Sequence, residues 1–125
     1  MKSVRWNTIL SDVGDLFFSD LNDKGELIIH VKDRDEIEYL VHFEFCGPYL
    51  VSDEGYRTLY WENVEGNIGN TFEVQNSPLI SYLSAEPTFE IQCPAPKHFV
   101  ICTMDVIIEV VSNKYPNIKS YGKGT

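Results

Sequence analysis

The chain has 125 residues, with 19 acidic against 10 basic side chains and a formal charge of −9. That balance argues against a nucleic-acid partner, since phosphate binding is driven by Lys and Arg displacing counterions. With 43% hydrophobic, 13% aromatic and 23% charged residues, the chain has material for one core, and residues 1–125 are expected to form a single domain. The apolar run Val106-Ile107-Ile108 is broken by Glu109, and Asp12 and Asp15 lie where an export signal is apolar, so no membrane span and no leader are expected.

In chain order, Trp6, Ile9, Leu10 and Val13 have helical spacing that Gly14 cuts short, which predicts a brief N-terminal helix at most. Leu16 to Leu21 reads as a strand. Asn22-Asp23-Lys24-Gly25 then supplies turn chemistry, with Gly25 free to take a positive φ. Leu27, Ile29 and Val31 alternate with Glu26, Ile28 and His30, and then Ile37, Tyr39, Val41, Phe43 and Phe45 alternate with Glu38, Leu40, His42 and Glu44. This period of two predicts a three-stranded meander whose odd-numbered face enters the core. The tetrad Asp33-Arg34-Asp35-Glu36 is its exposed turn, and Gly47-Pro48 ends it.

Tyr49-Leu50-Val51 and the run from Tyr56 to Trp61 predict two further strands, joined through Ser52-Asp53-Glu54-Gly55. A loop with Gly66 and Gly69 leads to a short strand at 72–74. The chain then changes period: Asn76 or Ser77 caps a helix over 77–86, with Pro78 in its first turn, Leu79, Ile80 and Leu83 as its buried stripe and Pro87 as its stop. Stretches 98–103 and 106–111 predict two strands paired through Met104-Asp105, and their near-continuous hydrophobicity puts them at the centre of the core. The tail over 114–125 reads as frayed.

Cys46, Cys93 and Cys102 are odd in number, form no C-x-x-C and have no basic neighbours, so they are expected to be reduced thiols in a cytoplasmic compartment. No cofactor, metal or catalytic group is predicted, because nucleotide-binding, hydrolase-elbow and zinc-protease signatures are absent from the sequence. The best alternative is the even face of the meander, where Glu26, His30, Glu38, His42 and Glu44 project. A register setting His30 against Glu38 and Glu26 against His42 would orient imidazoles as bases or ligands, although an ordinary solvent face has the same composition. His98, at the start of a core strand, reads as a satisfied structural residue.

Tyr49, Tyr56, Tyr60 and Trp61 cluster in sequence beside Asp53, Glu54 and Glu62. Aromatic rings with a carboxylate rim suit a protein interface. The predicted contact residues are therefore Asp33, Asp35, Glu36, Asp53, Glu54, Tyr56, Tyr60 and Trp61.

The Asp23-Lys24-Gly25-Glu26-Leu27 turn, the Gly47-Pro48-Tyr49-Leu50-Val51 segment, the helix after Asn76-Ser77 and the stretch from His98 to Val111 together resemble small bacterial proteins similar in style to the immunity proteins of contact-dependent or polymorphic toxin systems. The resemblance implies a role in binding a cognate toxin and carries over no site residue. The expected fold is α+β: a strongly curved antiparallel β-sheet, a half-barrel or roll, with one short helix packed on it. A closed small barrel is the alternative. The expected function is non-enzymatic binding of a basic protein partner, most concretely the neutralisation of a toxin domain. The alternative is a small-ligand-binding or enzymatic barrel-like domain using His30, His42 and nearby glutamates.

Overall fold

A computed structural model describes residues 1–44, 47–53 and 67–123. Their strands are β1 (Lys2–Arg5), β2 (Leu16–Asp23), β3 (Leu27–Asp33), β4 (Ile37–Phe43), β5 (Tyr49–Asp53), β6 (Thr71–Gln75), β7 (Lys97–Cys102), β8 (Val106–Ser112) and β9 (Asn117–Lys123). Two short helices, α1 (Pro78–Leu83) and α2 (Phe89–Gln92), separate β6 from β7.

Among the described residues all pairings are antiparallel, in a five-stranded sheet of order β1-β6-β7-β8-β5 and a four-stranded sheet of order β2-β3-β4-β9. The α+β class is as expected, but the sheets are neither closed nor strongly curled as a half-barrel would be.

The meander buries its odd-numbered face because every second side chain there is apolar. Leu27, Ile29 and Val31 of β3 and Tyr39, Val41 and Phe43 of β4 meet Phe99 and Ile101 of β7 and Ile108 and Val110 of β8. Trp6, Leu10 and Leu16 complete this cluster. Each such side chain, when fully buried, contributes roughly 1.5–3 kcal/mol of transfer free energy. On the opposite face of the five-stranded sheet, Phe72, Val74, Val100 and Ile107 form a second cluster with Ile68. The helices cover Val111 there through Phe89 and Cys93, with Leu79, Ile80 and Leu83 packed alongside. β7 and β8 are thus covered on both faces, which is why their sequence lacks the polar alternation of β3 and β4.

Three expectations are corrected. Residues 6–13 form turns rather than a helix, and they bury Trp6 and Leu10 while leaving Ile9 exposed. The tail is not frayed over most of its length, since β9 pairs with β4 from His42↔Asn117 to Ile37↔Lys123. A second helix, α2, follows the expected one, and α1 is capped by the Ser77 side chain, which accepts from the Ile80 N–H at 3.1 Å.

One end of the molecule gathers turns from both sheets. The β7–β8 turn reaches β2: Met104 N–H donates to the Leu16 carbonyl at 2.8 Å and Phe18 N–H to Asp105 Oδ2 at 3.3 Å. Leu16 lies opposite Asp33, where the β3–β4 turn begins, and Val106 lies opposite Asp53, where β5 ends.

Candidate partner-binding surface

At the β3–β4 turn the carboxylates divide into two roles. Asp33 is only 8% exposed. Its Oδ1 accepts from the N–H groups of Asp35 at 2.9 Å and Ile37 at 3.0 Å, and its Oδ2 accepts from the Tyr39 hydroxyl at 3.0 Å. Asp33 is thus a turn-former that fixes the loop. Burial, and then the Asp33 carboxylate beside it, push the Tyr39 phenol above its usual range. Asp35 and Glu36 are exposed at the tip, Glu36 with a φ of 62°.

Asp53 is exposed at the end of β5, next to Val106 on β8. The Leu16–Met104 link therefore brings the two acidic segments predicted from sequence to the same end of the fold, and adds Asp105 to them. Apolar surface accompanies these acids: Met104 is 51% exposed, and the consecutive residues Tyr49, Leu50 and Val51 are 37%, 41% and 39% exposed. Side chains on both faces of β5 thus emerge from cover, whereas the facing residues of β8, Ile108 and Val110, are fully buried. Sequence reasoning misses Met104 and Asp105 as surface groups of interest. The signal that could find them is a methionine at a tight turn between two core strands. The predicted contact residues Glu54, Tyr56, Tyr60 and Trp61 lie outside the described residues.

The even face of the meander does not assemble as expected. β3 and β4 pair in the register Ile28↔His42, His30↔Leu40 and Lys32↔Glu38, two residues from the one that sets His30 against Glu38. His30 instead looks to β2, with Nδ1 2.5 Å from Asp20 Oδ1. His42 Nε2 does come within 3.4 Å of Glu26 Oε2, an ion-pair separation without hydrogen-bond alignment. Glu38 lies across from Lys32, and Glu44 is exposed beside His42. The result is two His–carboxylate pairs on an open face, with a shallow hollow of about 380 Å³ beside Asp20, His30, Glu38 and Tyr121. Among the described residues no group of three or more His, Cys, Asp or Glu side chains could hold a metal ion.

His98 is buried at 1% exposure, and both ring nitrogens are engaged: Nδ1 with Ser77 Oγ at 2.7 Å and Nε2 with Glu109 Oε1 at 2.9 Å. Because Ser77 Oγ already accepts from Ile80 N–H, its hydroxyl proton is free to donate to Nδ1, which leaves the Nε2 proton for Glu109. This chain of polar groups ties the start of α1 to the two central strands, as expected of a satisfied structural histidine.

No family model matches the chain, and no curated protein or solved structure matches it.

Proposed function

We propose that this is a non-enzymatic protein-binding protein whose partner is basic, most concretely an immunity protein that neutralises a cognate bacterial toxin in the cytoplasm. What supports the reading is one juxtaposition: the acidic turns carrying Asp35, Glu36, Asp53 and Asp105 lie at the same end of the fold as exposed Met104, and the apolar run Val51-Leu50-Tyr49 leads away from them along β5. An apolar strip can supply the desolvated centre of an interface, while carboxylates at its rim steer a basic partner and set its orientation. The charge of −9 acts in the same sense over longer range. A basic nuclease suits this surface, because its phosphate-binding cleft already complements carboxylates.

The test begins with the neighbouring reading frame, which should encode a large secreted protein with a variable C-terminal domain. That domain and this protein should co-elute as a complex, and association should slow as salt is raised. Leu50→Asp should weaken the complex by about tenfold or more, equivalent to roughly 1.4 kcal/mol. The absence of both such a neighbour and a complex would overturn the proposal.

A further inference from the structure

The apolar run on β5 does not stop at Tyr49. Pro48 precedes it and is held against β8, with its carbonyl accepting from Val111 N–H at 3.0 Å and Gly47 N–H donating to the Val111 carbonyl at 2.6 Å. Pro48 and Gly47 also form one wall of a groove of about 260 Å³ whose other walls include Leu83 of α1, Phe89 of α2 and Cys93. Opposite residues of an antiparallel pair share a face, so Leu50, opposite Glu109, points to the side of the sheet on which the helices pack over Val111. On this side of the sheet Pro48 stands next along the chain between Leu50 and the groove, while Tyr49 and Val51 face the other way.

The outer side of the helical layer has an unusual composition. Tyr82 is 78% exposed and Ile91 79% exposed. The whole stretch from Asn76 to Pro96 contains no Lys, Arg or His, while Glu86 and Glu90 are both exposed. A groove of this volume is below the usual range for a drug-sized ligand, and it suits an apolar side chain of a larger partner. Large apolar groups exposed on the two helices that wall the groove mark an interaction site, and Glu86, which lines it, favours a positive charge on what enters.

We propose that this groove receives an apolar anchor from a basic amphipathic segment of the partner, with Glu86 on its wall pairing with a Lys or Arg side chain and with Tyr82, Glu90 and Ile91, on the outer side of the same helices, meeting the rest of the segment. The inference rests on the protein-binding reading above and extends the interface along β5, whose five residues span about 17 Å, from the acidic turns to the helices. Helix-in-groove recognition works through such anchors at one face of an amphipathic segment.

The probe is a synthetic amphipathic helix of Lys and Leu, compared with its Glu and Leu counterpart, titrated into isotopically labelled protein. The Lys/Leu peptide should shift the methyl signals of Leu83 and Ile91, and Ile91→Asp or the pair Glu86→Lys and Glu90→Lys should weaken its binding about tenfold. All three substituted side chains are exposed, so these variants should keep the fold. Shifts confined to Leu50, Val51 and Met104 would overturn the groove as the anchor site and leave the protein-binding reading standing. Equal binding of the acidic peptide would overturn the charge assignment. If neither peptide bound anywhere, the groove inference would fall, while the reading beneath it would still be decided by the product of the neighbouring frame.

Discussion

His98 Nε2 and Glu109 Oε1 lie 2.9 Å apart on adjacent central strands, with both side chains fully withdrawn from solvent. Removing one partner of a buried polar pair strands the other without water, at a cost of about 3–5 kcal/mol where the pair is charged. His98→Ala should therefore lower the urea midpoint sharply. Ser77→Ala, which removes both the α1 cap and the contact to Nδ1, should cost about 1–2 kcal/mol, and less in a His98→Ala background because the two side chains share a bond. Strict additivity in this cycle would show that Ser77 acts on the helix alone.

Burial of Tyr39 against Asp33 gives a pH dependence. The folded-state pKa of Tyr39 is raised above the ordinary 10.0, so the native state holds its proton more tightly than the unfolded chain does. Its contribution is complete below about pH 10 and is lost as pH rises through the folded-state value. Tyr115 shifts in the same direction through burial and Glu73, but it is half exposed and solvent screens it. Denaturation between neutral pH and strongly alkaline pH should show stability falling above about pH 10, with a shallower fall in Tyr39→Phe. An identical slope in the variant would remove Tyr39 as the source.

Two glycines with positive φ should respond differently to alanine. Gly25 (φ 87°) has nothing within 4 Å of the place an added Cβ would take, so Gly25→Ala should cost about 1–2 kcal/mol for the left-handed backbone alone. At Gly69 (φ 71°) the added carbon would lie 2.7 Å from the Ser11 carbonyl oxygen, which itself accepts from Asn70 N–H. Gly69→Ala should cost clearly more, read as a larger drop in denaturation midpoint. Equal losses would mean that the Ser11 segment yields freely.

In the partner complex, the acidic turns and the apolar strip should separate kinetically. Asp35→Asn with Glu36→Gln should mainly slow association and flatten its salt dependence, whereas Val51→Ala should mainly speed dissociation. Stopped-flow and surface-binding measurements distinguish the two. Unchanged association at every salt concentration would take the acidic turn out of the interface.

Cys93 is buried under the helical layer, and burial raises its thiol pKa above the ordinary 9.0. Since the thiolate is the reactive form, Cys93 should alkylate slowly in the native protein and rapidly in denaturant. Peptide mapping after timed iodoacetamide exposure checks this, and native labelling at the denatured rate would mean that α2 lifts readily from Val111.

Much of this architecture follows from local chemistry. The alternation in β3 and β4, the glycine turn at Gly25, the Ser77 cap before Pro78 and the apolar β7 and β8 all declare themselves, because burial and backbone preference act on the residues concerned. Other features depend on what lies across from each strand. A period of two fixes which face is buried but is blind to a slip of two residues, so it could not choose between His30 opposite Glu38 and the observed His30 opposite Leu40. β9 has little apolar alternation; it is a strand because β4 offers backbone groups in need of partners, which any sequence without proline can satisfy. Asp33 and Asp35 look alike in the chain, and only the position of the Tyr39 hydroxyl and of the turn amides makes one a buried structural acceptor and leaves the other in water. Likewise, that Asp105 and Met104 stand with Asp35, Glu36 and Asp53 at one end results from a hydrogen bond between segments far apart in sequence, Met104 to Leu16, which no local pattern specifies.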